Sequence, residues 1–171
     1  MRTTIPATQR QVCAFTLGEH LFGIDIRYVQ EVVRFQEVTP VPLTPPIVSG
    51  LLNLRGQIVL AIDLRERLEL GDHVDQKSPT NIIARIGDGL LSFVVDELYD
   101  IVPLDNDQFE PLPGPLTEIE KQFATGCFKL KDRVLTMLDA AQVADISAPL
   151  RSNVESLRIK REQRSSLVGL R

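Results

Sequence analysis

The chain repeats itself, and that constrains its fold more than any other feature. With a shift of 69 residues, Leu17-Gly18-Glu19-His20-Leu21-Phe22 lies over Ile86-Gly87-Asp88-Gly89-Leu90-Leu91. At the same shift Ile24, Ile26, Val29, Val32 and Val33 meet Phe93, Val95, Leu98, Ile101 and Val102, and Glu31 meets Asp100. With a shift of 76, Gly50-Leu51-Leu52-Asn53-Leu54-Arg55-Gly56-Gln57-Ile58-Val59 lies over Gly126-Cys127-Phe128-Lys129-Leu130-Lys131-Asp132-Arg133-Val134-Leu135, and Asp63 then meets Asp139. The seven extra residues fall in the connection holding Pro111, Pro113 and Pro115, where insertions cost little. Apolar matches alone are easily obtained by chance; the matched Gly18/Gly87, Gly50/Gly126, Glu31/Asp100 and Arg55/Lys131 are what make this a duplication. It predicts repeat 1 over about residues 11–70 and repeat 2 over about 80–146.

Within each repeat the pattern is that of strands. Val12-Cys13-Ala14-Phe15-Thr16-Leu17 and Leu21-Phe22-Gly23-Ile24-Asp25-Ile26 place large apolar side chains at every second position, with Gly18-Glu19-His20 between them, so they read as a hairpin. Residues 26–33 are compatible with one or two helical turns or with a strand starting near Val29. Pro40, Pro42, Pro45 and Pro46 make 39–46 an extended connection outside any sheet interior. Residues 47–54 and 57–64 then form a second hairpin with Arg55-Gly56 at its tip and Ile58, Leu60, Ile62 and Leu64 on one face. Residues 71–79 read as a loop, Thr117 as the capping residue of a short helix presenting Leu116, Ile119 and Phe123, and 139–146 as a second short helix. Two copies of about five short strands predict an all-β chain of two small β-barrels with short helices. Which repeat supplies which strand to each barrel stays open.

Residues 149–171 differ. They hold six basic and two acidic residues, so this tail carries +4 and the remainder −8, and it reads as a solvated, frayed or partly helical segment. The whole chain, 171 residues and mildly acidic with no Trp, lacks the field and the stacking rings of a typical nucleic-acid binder. Its most apolar run, Ile58-Val59-Leu60-Ala61-Ile62, is far short of the roughly 20 residues that span a bilayer, and its first residues lack the apolar core of a secretion signal. Cys13 and Cys127 read as buried small apolar residues in a cytoplasmic protein.

No catalytic signature is present. His20 and His73 have no carboxylate at metal-ligand spacing. There is no Gly-x-Ser-x-Gly elbow, and Gly87-Asp88-Gly89 lacks the third glycine and following helix of a dinucleotide site. Neither a cofactor nor a metal is expected.

The combination Gly50-x-x-Asn53-Leu54-Arg55-Gly56-x-Ile58-Val59-x-x-Ile62-Asp63-Leu64-Arg65, with Gly23-Ile24-Asp25-Ile26 and Val29-Gln30-Glu31-Val32 upstream, resembles the CheW family of bacterial chemotaxis coupling proteins. The resemblance covers residues 11–146 and leaves the tail without a role. It implies two five-stranded, SH3-like barrels around a shared hydrophobic seam. It also implies a non-enzymatic scaffold joining the cytoplasmic signalling tips of transmembrane chemoreceptors to the regulatory domain of the chemotaxis histidine kinase. Arg55 matches the family arginine implicated in partner binding, Val29 and Glu31 match residues of the same surfaces, Gly50 and Gly56 match glycines needed for the hairpin, and Asn53 belongs to the same motif. Leu60 departs from the family, which often has proline there.

The residues carry an argument of their own. Glu31 and Arg55 are expected to pair, and the duplication expects a second pair between Asp100 and Lys131. An exposed pair adds little to stability, so an arginine at a turn tip is better explained by the planar fork of donors it offers a partner. Val29, Val94 and Val95 lie in runs with more apolar residues than one barrel interior can face, which leaves some for the seam or a docking groove. Two alternatives remain at this point: an adaptor of a parallel sensory system such as one governing motility, and a small β-barrel that binds nucleic acid through its tail.

Overall fold

The computed structural model describes residues 7–34, 36–71 and 78–147. Eleven strands and three short α-helices alternate along them. The first repeat supplies β1 (Gln9–Leu17), β2 (His20–Asp25), β3 (Val29–Arg34), β4 (Val48–Leu54), β5 (Gln57–Asp63) and α1 (Leu64–Arg67). The second supplies β6 (Thr80–Ile86), β7 (Gly89–Val95), β8 (Glu97–Asp105), β9 (Phe109–Glu110), α2 (Glu118–Phe123), β10 (Ala124–Lys129), β11 (Val134–Leu138) and α3 (Ala140–Ala144). The ambiguous residues 26–33 divide: one 3-10 turn over Ile26–Tyr28, capped by the Asp25 carboxylate on the Arg27 amide, and then strand β3.

The strands form two sheets, ordered β3-β6-β7-β5-β4 and β8-β1-β2-β11-β10-β9. These two SH3-like barrels have exchanged hairpins. The first barrel takes β6–β7 from the second repeat, and the second takes β1–β2 from the first. The duplication reaches the level of register. In the first barrel Leu60 lies beside Leu91 in a parallel pairing; in the second their repeat equivalents, Thr136 and Phe22, lie side by side in the same way. The irregularity between Val48 and Gly50 recurs between Ala124 and Gly126, and that between Val29 and Glu31 recurs in β8 opposite Ala14 and Phe15. The second sheet has six strands rather than the expected five. Its extra strand β9 pairs Glu110 with Cys127, and the first barrel keeps only a vestige of it, the single bridge Thr39–Leu51.

Gly50 and Gly126 explain why these bridges need glycine. Both have positive φ (143° and 157°), and a Cβ would overlap the carbonyl oxygen of Thr39 at Gly50, or Phe109 and the Glu110 carbonyl at Gly126.

Strand alternation produces three cores. Cys13, Phe15, Ile24, Ile62 and Leu64 meet their repeat partners Ile82, Ala84, Phe93, Leu138 and Ala140 in a central seam between the barrels. The opposite faces fill each barrel separately: Leu52, Leu54, Val59, Ala61 and Ile83 in the first, Val12, Ala14, Leu21, Phe128, Leu135 and Met137 in the second. Ile58 shares a strand face with Leu60 and Ile62 but is 61% exposed, because burial of that face fades from Ile62 toward the hairpin tip. Cys13 and Cys127 are both buried free thiols.

Two arginines fasten the seam. Arg65 is almost sealed from solvent and makes two hydrogen bonds to Asp96, which also accepts the Gly18 amide of the β1–β2 turn. Arg67, 1% exposed, donates from Nε to the Val143 carbonyl at 3.0 Å and from its terminal nitrogen to the Gln142 and Asp145 carbonyls, while its guanidinium lies 4.7 Å from the Phe123 ring centre. It thereby supplies donors to the C-terminal carbonyls of α3, where a helix leaves acceptors unpaired. The tail from 149 lies outside the described residues, as does most of the 71–79 loop.

Candidate functional site

The site is the tip of the β4–β5 hairpin. Two residues make its turn, Arg55 (φ 50°) and Gly56 (φ 86°), and both occupy the left-handed region that a two-residue hairpin of the first primed type requires. Gly56 has open space around it, so glycine is there for its backbone and not for room. Arginine in that region is uncommon. Asn53 stabilises it: its Oδ1 accepts the Gly56 amide at 2.7 Å, a side-chain closure of the turn.

The guanidinium then reaches back across the barrel. Its two terminal nitrogens donate to the two Glu31 carboxylate oxygens at 2.9 and 2.6 Å, a fork-to-fork arrangement. Glu31 sits on β3 and Arg55 beyond β4, the two outer strands of the five-stranded sheet, so the pair ties the open edges of the barrel together. The irregularity in β3 after Val29 sets which way Glu31 points. The acceptor side is sheltered (21% exposed), whereas the Arg55 side chain is 73% exposed. Hydrogen bonding to Glu31, then its charge, raises the Arg55 pKa above the ordinary guanidinium value. The result is a permanent cation whose position is fixed on one side and whose remaining donors and flat face point to solvent. Next to it Gln30 accepts from Arg85 at 2.8 Å, and Ile58, paired with Asn53 across the hairpin, adds exposed apolar surface.

Of the residues singled out in the sequence, Glu31, Asn53, Arg55 and Gly56 meet at this hairpin tip, whereas Gly50 lies buried further back along β4 against Thr39. Val29 is half-buried at the edge of the central seam and Val94 half-buried against the first barrel's own core, away from the hairpin tip. Val95 is fully buried in the seam and has no side-chain surface to offer a partner, since alternation along β7 turns it inward. The expected second pair does not form. Asp100 instead accepts its neighbour's amide, from Ile101 at 2.7 Å, and Lys131 makes no ion pair with it. The turns differ in backbone: Asp132 stands where the first barrel has Gly56, and Lys131 lacks the left-handed φ of Arg55, although Leu130 still donates its amide to the Arg133 carbonyl across the same two positions. Ile58 was missed because strict alternation assigns it to the interior.

Among the described residues no group of three or more His, Cys, Asp and Glu side chains gathers as a metal site, and no helix is long and apolar enough to cross a membrane. Two barrels fused through a seam, presenting a preorganised cation on a hairpin, define a docking scaffold. Comparison with known proteins gives that class its family. A family model described as a CheW-like domain matches residues 11–147. The chemotaxis protein CheW of Klebsiella aerogenes is 35% identical over 126 residues, 73% of this chain and 75% of that protein. CheW of Treponema pallidum is 30% identical over 135 residues, 77% of this chain and 79% of its own. The crystal structure of the scaffolding protein TtCheW from Thermoanaerobacter tengcongensis matches with a TM-score of 0.73 at 31% identity, covering 82% of this chain and 96% of that one. The chain belongs to the CheW-like family, and it is a non-enzymatic adaptor of chemotaxis signalling.

Proposed function

We propose that this adaptor holds the cytoplasmic signalling tip of chemoreceptors and the regulatory domain of the chemotaxis histidine kinase together, and is recruited through them to receptor arrays on the cytoplasmic face of the membrane. The observation that carries the reading is the Glu31-held, solvent-facing guanidinium of Arg55 on a rigid two-residue turn. A positioned arginine loses less conformational freedom on binding than a free one, and its unused donors suit a carboxylate or backbone carbonyls on a partner. Ile58 and the half-buried Val29 supply apolar surface of the kind an amphipathic helix or a second barrel covers. Contacts of modest area are reversible, as an array that assembles from separate parts requires. The test is co-sedimentation with receptor signalling fragments and kinase, comparing the native chain with Arg55→Glu. The reading expects capture of both partners by the native chain and loss of at least one with the variant; equal capture by the two would overturn it.

A further inference from the structure

The second barrel carries a groove that the Arg55 site does not use. It has a volume of about 600 Å³ and lies between α2, the end of α1, and strands β2 and β11. Phe22, Leu70, Ile119, Phe123 and Leu138 provide its apolar lining, and Val134, 41% exposed, continues that surface outward. Its rim is acidic: Glu19, Glu69 and Glu120 face one guanidinium, that of Arg133, and the imidazole of His20. An apolar trough with an acidic rim selects a segment in which apolar residues alternate with cations.

Outside the described residues the sequence holds one such segment. Residues 154–164 read Val154-Glu155-Ser156-Leu157-Arg158-Ile159-Lys160-Arg161-Glu162-Gln163-Arg164, in which Leu157 and Ile159 are interleaved with Arg158, Lys160 and Arg161. Bound in extended form, such a run puts Leu157 and Ile159 on one side and Arg158 and Lys160 on the other. The chain also leaves its fold beside the groove. Arg67 holds the Asp145 carbonyl with the same guanidinium that stacks on Phe123, a residue of the groove wall. Six residues lie between Ser147 and Val154, and the seven steps reach roughly 23–25 Å when extended, ample for a wall that begins one side chain away.

We propose that residues 154–164 dock in cis into this groove, with Leu157 and Ile159 as the buried anchors and Arg158, Lys160 and Arg161 meeting the acidic rim. Tethering makes the interaction intramolecular. With an effective concentration of about 1 mM and an intrinsic Kd of about 0.1 mM, the groove is occupied roughly ten times more often than it is empty.

Two measurements on the full chain test this. Hydrogen–deuterium exchange compares the native protein with the double variant Leu157→Asp/Ile159→Asp, whose changes lie outside the barrels. Amides of residues 68–70 and 117–124 are expected to exchange about tenfold faster in the variant, with the β1 and β6 amides unchanged. Benzoylphenylalanine placed at Val134 is expected to give a monomer-sized photoproduct whose crosslinked peptide comes from residues 148–171. Unchanged exchange at the groove, crosslinks to other parts of the barrels, or crosslinks found only in dimeric product would each overturn the assignment, the last by making a second copy the occupant.

Discussion

Replacing Arg67 by alanine tests whether the two barrels are held as one body. Arg67 ends α1, which follows the last strand of the first barrel, and its donors go to the end of α3, which follows the last core strand of the second. Burial pushes its pKa below the ordinary guanidinium value, opposed by the charge of Asp145, yet such a group stays protonated at neutral pH. The alanine variant leaves the buried Val143 carbonyl without its donor, at about 1–3 kcal/mol, and the partly buried Gln142 and Asp145 carbonyls with water at best. Losing the stack on Phe123 adds about 0.5–2 kcal/mol. The sum is about 1.5–5 kcal/mol, and at about 2–4 °C per kcal/mol for a chain of this size the melting temperature should fall by about 3–20 °C. Arg67→Lys keeps the charge but offers one compact donor head and no plane to stack, so it should fall between the two. Differential scanning calorimetry and urea titration read both variants. A loss smaller than about 3 °C for Arg67→Ala, or separate transitions in the native protein, would refute the idea that this side chain joins two mutually dependent barrels.

The remaining expectations concern the site, the backbone and the thiols. Arg55→Glu should leave the melting temperature within a few degrees of native while partner capture drops at least tenfold in co-sedimentation, and Lys131→Glu should change neither, since no ion pair joins Lys131 to Asp100. Gly50→Ala should lower the melting temperature more than Gly87→Ala in parallel thermal melts: both glycines have positive φ, but only at Gly50 does a Cβ meet backbone. Burial pushes the Cys13 thiol up to about 11, so the folded state holds that proton more tightly than the unfolded chain does. The stability this gives is complete below about pH 9 and is lost as pH rises toward 11, by about 2–3 kcal/mol. Urea titrations between pH 8 and 11 should show that slope in the native protein and a shallower one in Cys13→Ala, and a thiol reagent at pH 8 should label Cys13 only after unfolding.

The parts of this fold legible in the sequence were those set by local pattern. Gly18/Gly87 and Gly50/Gly126 mark the same turns and the same left-handed positions in both repeats, and Thr117 caps α2 with the reciprocal Glu120 bond that its spacing implies. The Glu31–Arg55 pair was legible from opposite charges within the recognised motif, although the two sit at the opposite outer strands of the sheet. The hairpin exchange was not, because alternation states that a strand has a buried face without naming what lies against it. Helix α1 could have been read: Asp63 aligns with Asp139, and each carboxylate caps the helix that follows by accepting two amides. Arg65, though part of the recognised motif, and Arg67 were given no buried role since charged residues are expected at the surface, and only the tertiary structure reveals the carbonyls and the Asp96 carboxylate that meet them. Likeness between repeats also overreached at Asp100 and Lys131, where a shorter carboxylate, a lysine for the forked arginine and Asp132 for Gly56 accompany the loss of the pair.

The order of the strands along the chain has a consequence for biosynthesis. One barrel is continuous, built from β3 through β7, while the other is assembled from the two ends of the described chain, with β1–β2 waiting for β8, β10 and β11. On the ribosome the continuous barrel can close once β7 has emerged, but the leading hairpin has no partner strand until β8 follows, and the core around Val12, Ala14 and Leu21 stays incomplete until β11 is made. During that interval it is an uncovered, sticky ribbon, the stretch where a nascent-chain chaperone would be most needed and where pairing with a neighbouring nascent copy would be most damaging.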